Sequence, residues 1–239
     1  MKNEIIEFSR QVWNNNELEN IIESYAEEIK DLSDTATDIA KPIKAFISIY
    51  QLGQKIKFRR FLKSYAKEID KSFKSESELT LKLTEYLKSE RNLNFIYNTI
   101  DSALSANSTI CSGILGYYTG VILSERKKLG FYEMVYLNAL RNLNDFELLM
   151  TVKVIEYIDV TKKNQRVASN DKFSSDIESY EFVVQKLKSL QIIREVQAGP
   201  GNPVSLGQAL WGTYRLNNIS KGFYELIEKS GYYDEIMKE

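Results

Sequence analysis

The sequence predicts a mainly α-helical fold, an N-terminal helical bundle over residues 1–130 followed by a small α+β module over 131–239, and three observations carry the prediction. Only three prolines interrupt 239 residues, and the eleven glycines cluster, so long stretches can continue as helix. Apolar residues recur at steps of three and four through most of the first 130 positions. Beyond about residue 190 the texture changes to short β-branched runs around a Gly/Pro-rich loop. A hydrophobic fraction of 43% with 12% aromatics supports packed cores and argues against a disordered chain.

Taken in order, Ile5, Phe8 and Val12 mark a short first helix. The run Asn14-Asn15-Asn16, with Glu19 three residues after Asn16, offers a cap to a helix carrying Leu18, Ile21, Ile22, Tyr25, Ile29 and Leu32. Pro42 stands where a first helical turn tolerates proline, ahead of Ile43, Phe46, Ile47 and Tyr50. Gly53 follows, and then Phe58, Phe61, Leu62, Tyr65 and Ile69, which predicts one long helix bent at Gly53 or two helices. Ser75 and Glu78 form a capping-box pattern before Leu79, Leu83, Tyr86 and Leu87. Leu93, Ile96, Ile100, Ala103 and Leu104 trace the next helix.

From Ser102 to Ser124 no residue is charged. The stretch could be read as a membrane segment, and a membrane-associated effector using 102–124 is one functional alternative. Its serines, threonines and glycines, and an apolar part shorter than the roughly 20 residues a span needs, favour a helix buried at the centre of the bundle, with glycines admitting a close neighbour.

The module after residue 130 is punctuated more heavily. Asn144 with Glu147 caps a helix bearing Phe146, Leu149, Met150 and Tyr157, and Ser175 with Glu178 opens another bearing Ile177, Tyr180, Val184 and Leu187. The run Gln191–Val196 reads as a strand, 198–203 as a turn, and Trp211–Leu216 as the returning strand. Ser220, Lys221 and Gly222 lead into a last helix with Phe223, Leu226 and Ile227. Helix, helix, strand, wing, strand, helix is the order of a winged-helix module. The segment through Tyr214-Arg215-Leu216 and Ile219-Ser220-Lys221-Gly222-Phe223 resembles the wing and closing helix of the MarR-like winged-helix family. The chain as a whole resembles helical proteins of bacteria and their phages, a likeness that implies no activity.

With no histidine, mechanisms that need an imidazole base or ligand are closed to this chain, and the single cysteine, Cys111, excludes an internal disulfide and a cysteine-cluster metal site. There is no phosphate-binding glycine loop with a following Lys-Ser/Thr. No catalytic residue, metal or cofactor is assigned, and the chemistry left open is that of carboxylates, Lys, Tyr and Ser acting alone or around a hard cation such as Mg²⁺. A lone thiol and an N-terminus without an apolar signal region suggest a cytoplasmic protein.

Charge is strongly segregated. Residues 1–40 carry ten acidic and three basic side chains, and residues 41–74 carry ten basic and two acidic. Arg60, Lys63, Lys67, Lys71 and Lys74 fall on a face opposite the apolar stripe, while Glu23, Glu27, Glu28 and Asp31 do the same on the preceding helix. The leading expectation is a non-catalytic interaction or regulatory protein that docks a protein partner through these charged faces or through the winged-helix-like module. Pairing of the two faces between copies would give a homodimer. The alternative is a nucleic-acid-binding protein using Lys55, Lys57, Arg59, Arg60, Lys63, Lys67, Lys71 and Lys74. The winged-helix-like module itself lacks a basic footprint, with 13 basic against 15 acidic residues over 131–239 and acids at the start of its candidate recognition helix.

Overall fold

Helices account for nearly all of the regular structure in a computed structural model that describes residues 2–13, 20, 22–23, 41–160, 177–196 and 213–238. For residues 4, 41–52, 157–160, 177–180, 195–196 and 213–215 the description is of the backbone alone. The elements are α1 (Lys2–Trp13), α2 (Lys41–Ser72), α3 (Glu76–Tyr86), α4 (Glu90–Ser105), α5 (Thr109–Glu125), α6 (Phe131–Asn142), α7 (Asp145–Val160), α8 (Ile177–Ser189), β1 (Arg194–Val196), β2 (Thr213–Arg215), α9 (Asn218–Ser230) and α10 (Tyr233–Ile236). They form two compact units, one of Met1–Gly130 with Leu140–Asn142 and the other of Phe131–Ala139 with Leu143–Glu239.

The first unit is built around α5. This 17-residue helix has no polar face, and Ile110, Ile114, Leu115, Tyr118, Ile122 and Leu123 are all buried. Ser108 starts it by accepting the Cys111 amide at 3.0 Å. Its main neighbour is α2, a single 32-residue helix that begins around Pro42 and passes through Gly53 without interruption. Phe58, Phe61, Leu62, Tyr65 and Ile69 of α2 are buried against it. Two glycines set the approach: a side chain at Gly116 would collide with the Phe61 backbone carbonyl, and one at Gly120 would meet Cβ of Glu68 at 2.7 Å. Since 116 lies beside 61 and 120 beside 65 and 68, the two helices run parallel. The uncharged stretch is thus an interior helix, and no helix among the described residues is long and apolar enough to cross a membrane.

Other elements close this core. Tyr65 is buried with its hydroxyl 2.7 Å from Ser9 Oγ of α1. Ser9 donates its own proton to the Ile5 carbonyl at 2.8 Å, so the phenol must be the donor, and burial pushes its pKa well above the usual tyrosine value. At the start of α3, Ser75 accepts the Glu78 amide at 3.2 Å, while Glu78 reaches the Lys74 amide at 3.0 Å. The expected cap is therefore half a capping box, its carboxylate engaged one residue earlier. The helix expected around Leu18–Leu32 and its Asn16–Glu19 cap lie outside the described residues, except for Asn20, Ile22 and Glu23.

In the second unit, Asn144 and Glu147 cap α7 reciprocally, with Glu147 N to Asn144 Oδ1 at 2.8 Å and Asn144 N to Glu147 Oε2 at 2.9 Å. The strands form an antiparallel pair in the register Arg194↔Arg215, Glu195↔Tyr214 and Val196↔Thr213. Both are shorter than their sequence runs suggest. Gln191 takes a left-handed conformation, φ 63°, which ends α8, and Ile192 and Ile193 then turn inward and are buried before β1 begins. The turn expected at 198–203 and the cap expected at Ser175 and Glu178 lie outside the described side chains. The last long helix starts at Asn218, earlier than its apolar residues alone indicate, because Asn217 and Ser220 form a capping box. Ser220 Oγ also donates to the Ile192 carbonyl, tying α9 to the entry of β1.

Gly222 of α9 leaves room for the hydroxyl of Tyr136 on α6. Burial, reinforced by Glu133, pushes the Tyr136 phenol up to about 12. An unfolded tyrosine titrates near 10, so this neutral phenol contributes stability below pH ~10 that is lost as pH rises toward ~12. Urea midpoints at pH 9 and pH 11 should therefore fall more for the native protein than for Tyr136→Phe, and an equal fall in both would refute the assignment.

Candidate functional site

The cationic face of α2 is real but rotated from its sequence-derived position. Arg59, Lys63, Lys67 and Lys71 are exposed, with Lys74 exposed just beyond the helix end. Steps of four residues make them one oblique row about 18 Å long from Arg59 to Lys71, at 1.5 Å rise per residue. Arg60, which helical projection sets opposite the apolar stripe, is half-buried, as is Lys57. The cause is the position of α5. It covers the flank of α2 that carries Phe61 and Glu68, so the face left to solvent shifts toward Arg59 and Lys63. Spacing within α2 defines its apolar stripe but not the flank on which a neighbour will lie.

The row is not uniformly positive. Asp70 is exposed within it, and Ile56 is 42% exposed at its start. Lys55 is committed to Glu23, 2.8 Å away, so the acidic and basic segments already meet inside one chain at this point. Glu27, Glu28 and Asp31, which would complete the acidic face, lie outside the described residues. Partial burial lowers the Lys57 pKa. The exposed members, Arg59, Lys63, Lys67, Lys71 and Lys74, are therefore the part of the expected set able to reach a ligand.

The second unit offers less to an anion. Of the two lysines late in α8, Lys186 donates to both carboxylate oxygens of Glu147 at 2.6 Å, and the Glu147 side chain is only 5% exposed. Two aromatics close to this part-buried pair in sequence are exposed, Phe146 next to Glu147 and Phe182 one turn before Lys186. Periodicity assigned Phe146 to the inner face, yet Leu148 takes that place and is fully buried. Elsewhere Glu156 accepts hydrogen bonds from Tyr224 at 2.8 Å and from Tyr233. Burial and the carboxylate raise the Tyr224 phenol, and the hydrogen bond to Glu156 does most to raise Tyr233, so both stay protonated and act as donors. The cluster fastens α9 and α10 to α7.

The sequence has no match among protein-family models or curated proteins, and its structure has none among solved structures.

Proposed function

We propose that the protein is a non-catalytic binding protein and that the α2 row engages the phosphate backbone of a nucleic acid. The observation that carries this is the exposed line of Arg59, Lys63, Lys67, Lys71 and Lys74 on one rigid helix. Four of the five are lysines, a residue depleted in protein interfaces but well suited to phosphate as a point charge. No cluster of exposed aromatics accompanies the row among the described residues, such as usually anchors a protein partner.

The test is an anisotropy titration of a generic duplex at increasing salt. Contacts to about four phosphates predict a log–log slope of about −3.6, hence about a 150-fold loss of affinity between 50 and 200 mM salt. In the variant Lys63→Glu/Lys67→Glu/Lys71→Glu binding should disappear at both salts while the thermal midpoint holds. Absence of binding at 50 mM salt would end the nucleic-acid reading.

A second reading, docking of a protein partner, is favoured by Phe146 and Phe182, which are 46% and 64% exposed on α7 and α8, the helices that the Glu147–Lys186 pair links. The element order α7, α8, β1, β2, α9 supports a winged-helix-like interpretation of this unit. Because Lys186 is held by Glu147, such a module is better suited to protein contact than to DNA.

A further inference from the structure

Near the end of α5 the first unit contains a cavity of about 550 Å³ whose lining includes Lys88, Arg91, Arg126, Lys127 and Lys128 and one carboxylate, Glu85. Five cations around one carboxylate repel one another, an arrangement that an anionic guest would relieve. The walls are held in place. Tyr86 Oη donates to the Lys127 carbonyl at 3.0 Å, Asn92 Nδ2 donates to the Tyr86 carbonyl at 2.9 Å, and Arg126 pairs with Glu85 at 2.9 Å. These three links join the end of α3, the first turn of α4 and the turn after α5. Arg126 sits in the left-handed region, φ 50°, and this sharp exit from α5 brings Lys127 and Lys128 to the rim.

We infer that this cavity binds a small molecule carrying two or three linked phosphate groups. Its volume lies within the range of small-molecule sites, about 300–1,000 Å³. The charges divide by role: Arg126, exposed, is tied to Glu85, and Lys127 Nζ lies 6.0 Å from the Tyr118 ring centre, while Lys88, Arg91 and Lys128 line the cavity as exposed side chains. Four exposed cations and the half-buried Lys127 around one opening suit a polyphosphate better than a single carboxylate. The wall residues Tyr86 and Leu129 are buried, so the cavity has no open aromatic platform and its recognition would rest on the phosphates rather than on a base. The inference does not depend on the α2 row.

Calorimetric titration of the full chain with inorganic triphosphate, and separately with a nucleoside triphosphate, tests it at 150 mM salt. Saturable one-site binding is expected for both. Arg91→Ala and Lys128→Ala should each weaken it about tenfold, the worth of one charge-assisted hydrogen bond. The Lys63→Glu/Lys67→Glu variant should bind as the native protein does. Tighter binding of the nucleotide would add a base contact to the same site. No saturation with either compound, or equal weakening by the α2 variant, would overturn the inference, and circular dichroism of each variant guards against unfolding as the cause.

Discussion

Gly116→Ala is expected to destabilise the first unit by about 3 kcal/mol, the upper part of the range for overpacking a tight core. The added methyl would meet the carbonyl and Cα of Phe61, which are backbone atoms and cannot rotate away. Relief requires α2 and α5 to separate along their shared length, and separation loosens the contacts of Phe61, Leu62 and Tyr65, all buried there. Gly120→Ala should cost less, because its nearest obstacle, Cβ of Glu68 at 2.7 Å, overlaps less than the Phe61 carbonyl oxygen at 2.1 Å, although that Cβ is fixed to the α2 backbone and cannot rotate away either. Gly53→Ala is the control. Nothing lies within 4 Å of its added methyl, and replacing a helix-interior glycine should stabilise by about 0.5–1 kcal/mol. Urea titrations followed by circular dichroism should thus give opposite signs for glycines in two different helices, and matching signs would refute the packing account.

Glu147→Ala should lower the stability of the second unit by about 2–3 kcal/mol. Loss of one half of the capping box, the bond from the Asn144 amide to the Glu147 carboxylate, accounts for about 1 kcal/mol, while Asn144 Oδ1 still caps the amide of residue 147. The remainder comes from leaving the Lys186 ammonium without its carboxylate at a site where its side chain is 25% exposed. That exposure keeps the cost below that of a fully buried broken pair. The double variant Glu147→Leu/Lys186→Met should be less destabilised than Glu147→Ala, since it removes both charges together. A double variant as unstable as the sum of the two single variants would show that Glu147 and Lys186 are not coupled and would refute this account.

Much of the helical framework was legible in local pattern. The caps at Ser75 and Asn144 are side-chain reactions to nearby backbone groups, and the apolar steps of α2, α3 and α5 mark what those helices must hide. What escaped reading depends on partners distant in sequence. Which flank of α2 is covered is decided by α5, some fifty residues later, and that choice exchanges Arg59 for Arg60 in the exposed row. The cavity residues fall in two short segments that look like ordinary solvated turns, Lys88 and Arg91 in one and Arg126, Lys127 and Lys128 in the other. Only the links through Tyr86, Asn92 and Glu85 bring the two together. The trimming of β1 followed from the backbone conformation of Gln191, for which composition holds no signal.

The seat of α5 also bears on the protein's birth. At synthesis speeds of about 5–20 residues per second, Gly116 leaves the catalytic centre of the ribosome some 3–11 s after Phe61, the residue it must lie against. Throughout that interval the flank of α2 that α5 will cover lacks its permanent neighbour, although α1, made earlier, already reaches Tyr65. The nascent chain should accordingly be a client of holding chaperones until α5 emerges, and a message truncated before codon 109 should yield a fragment that aggregates rather than a smaller folded bundle.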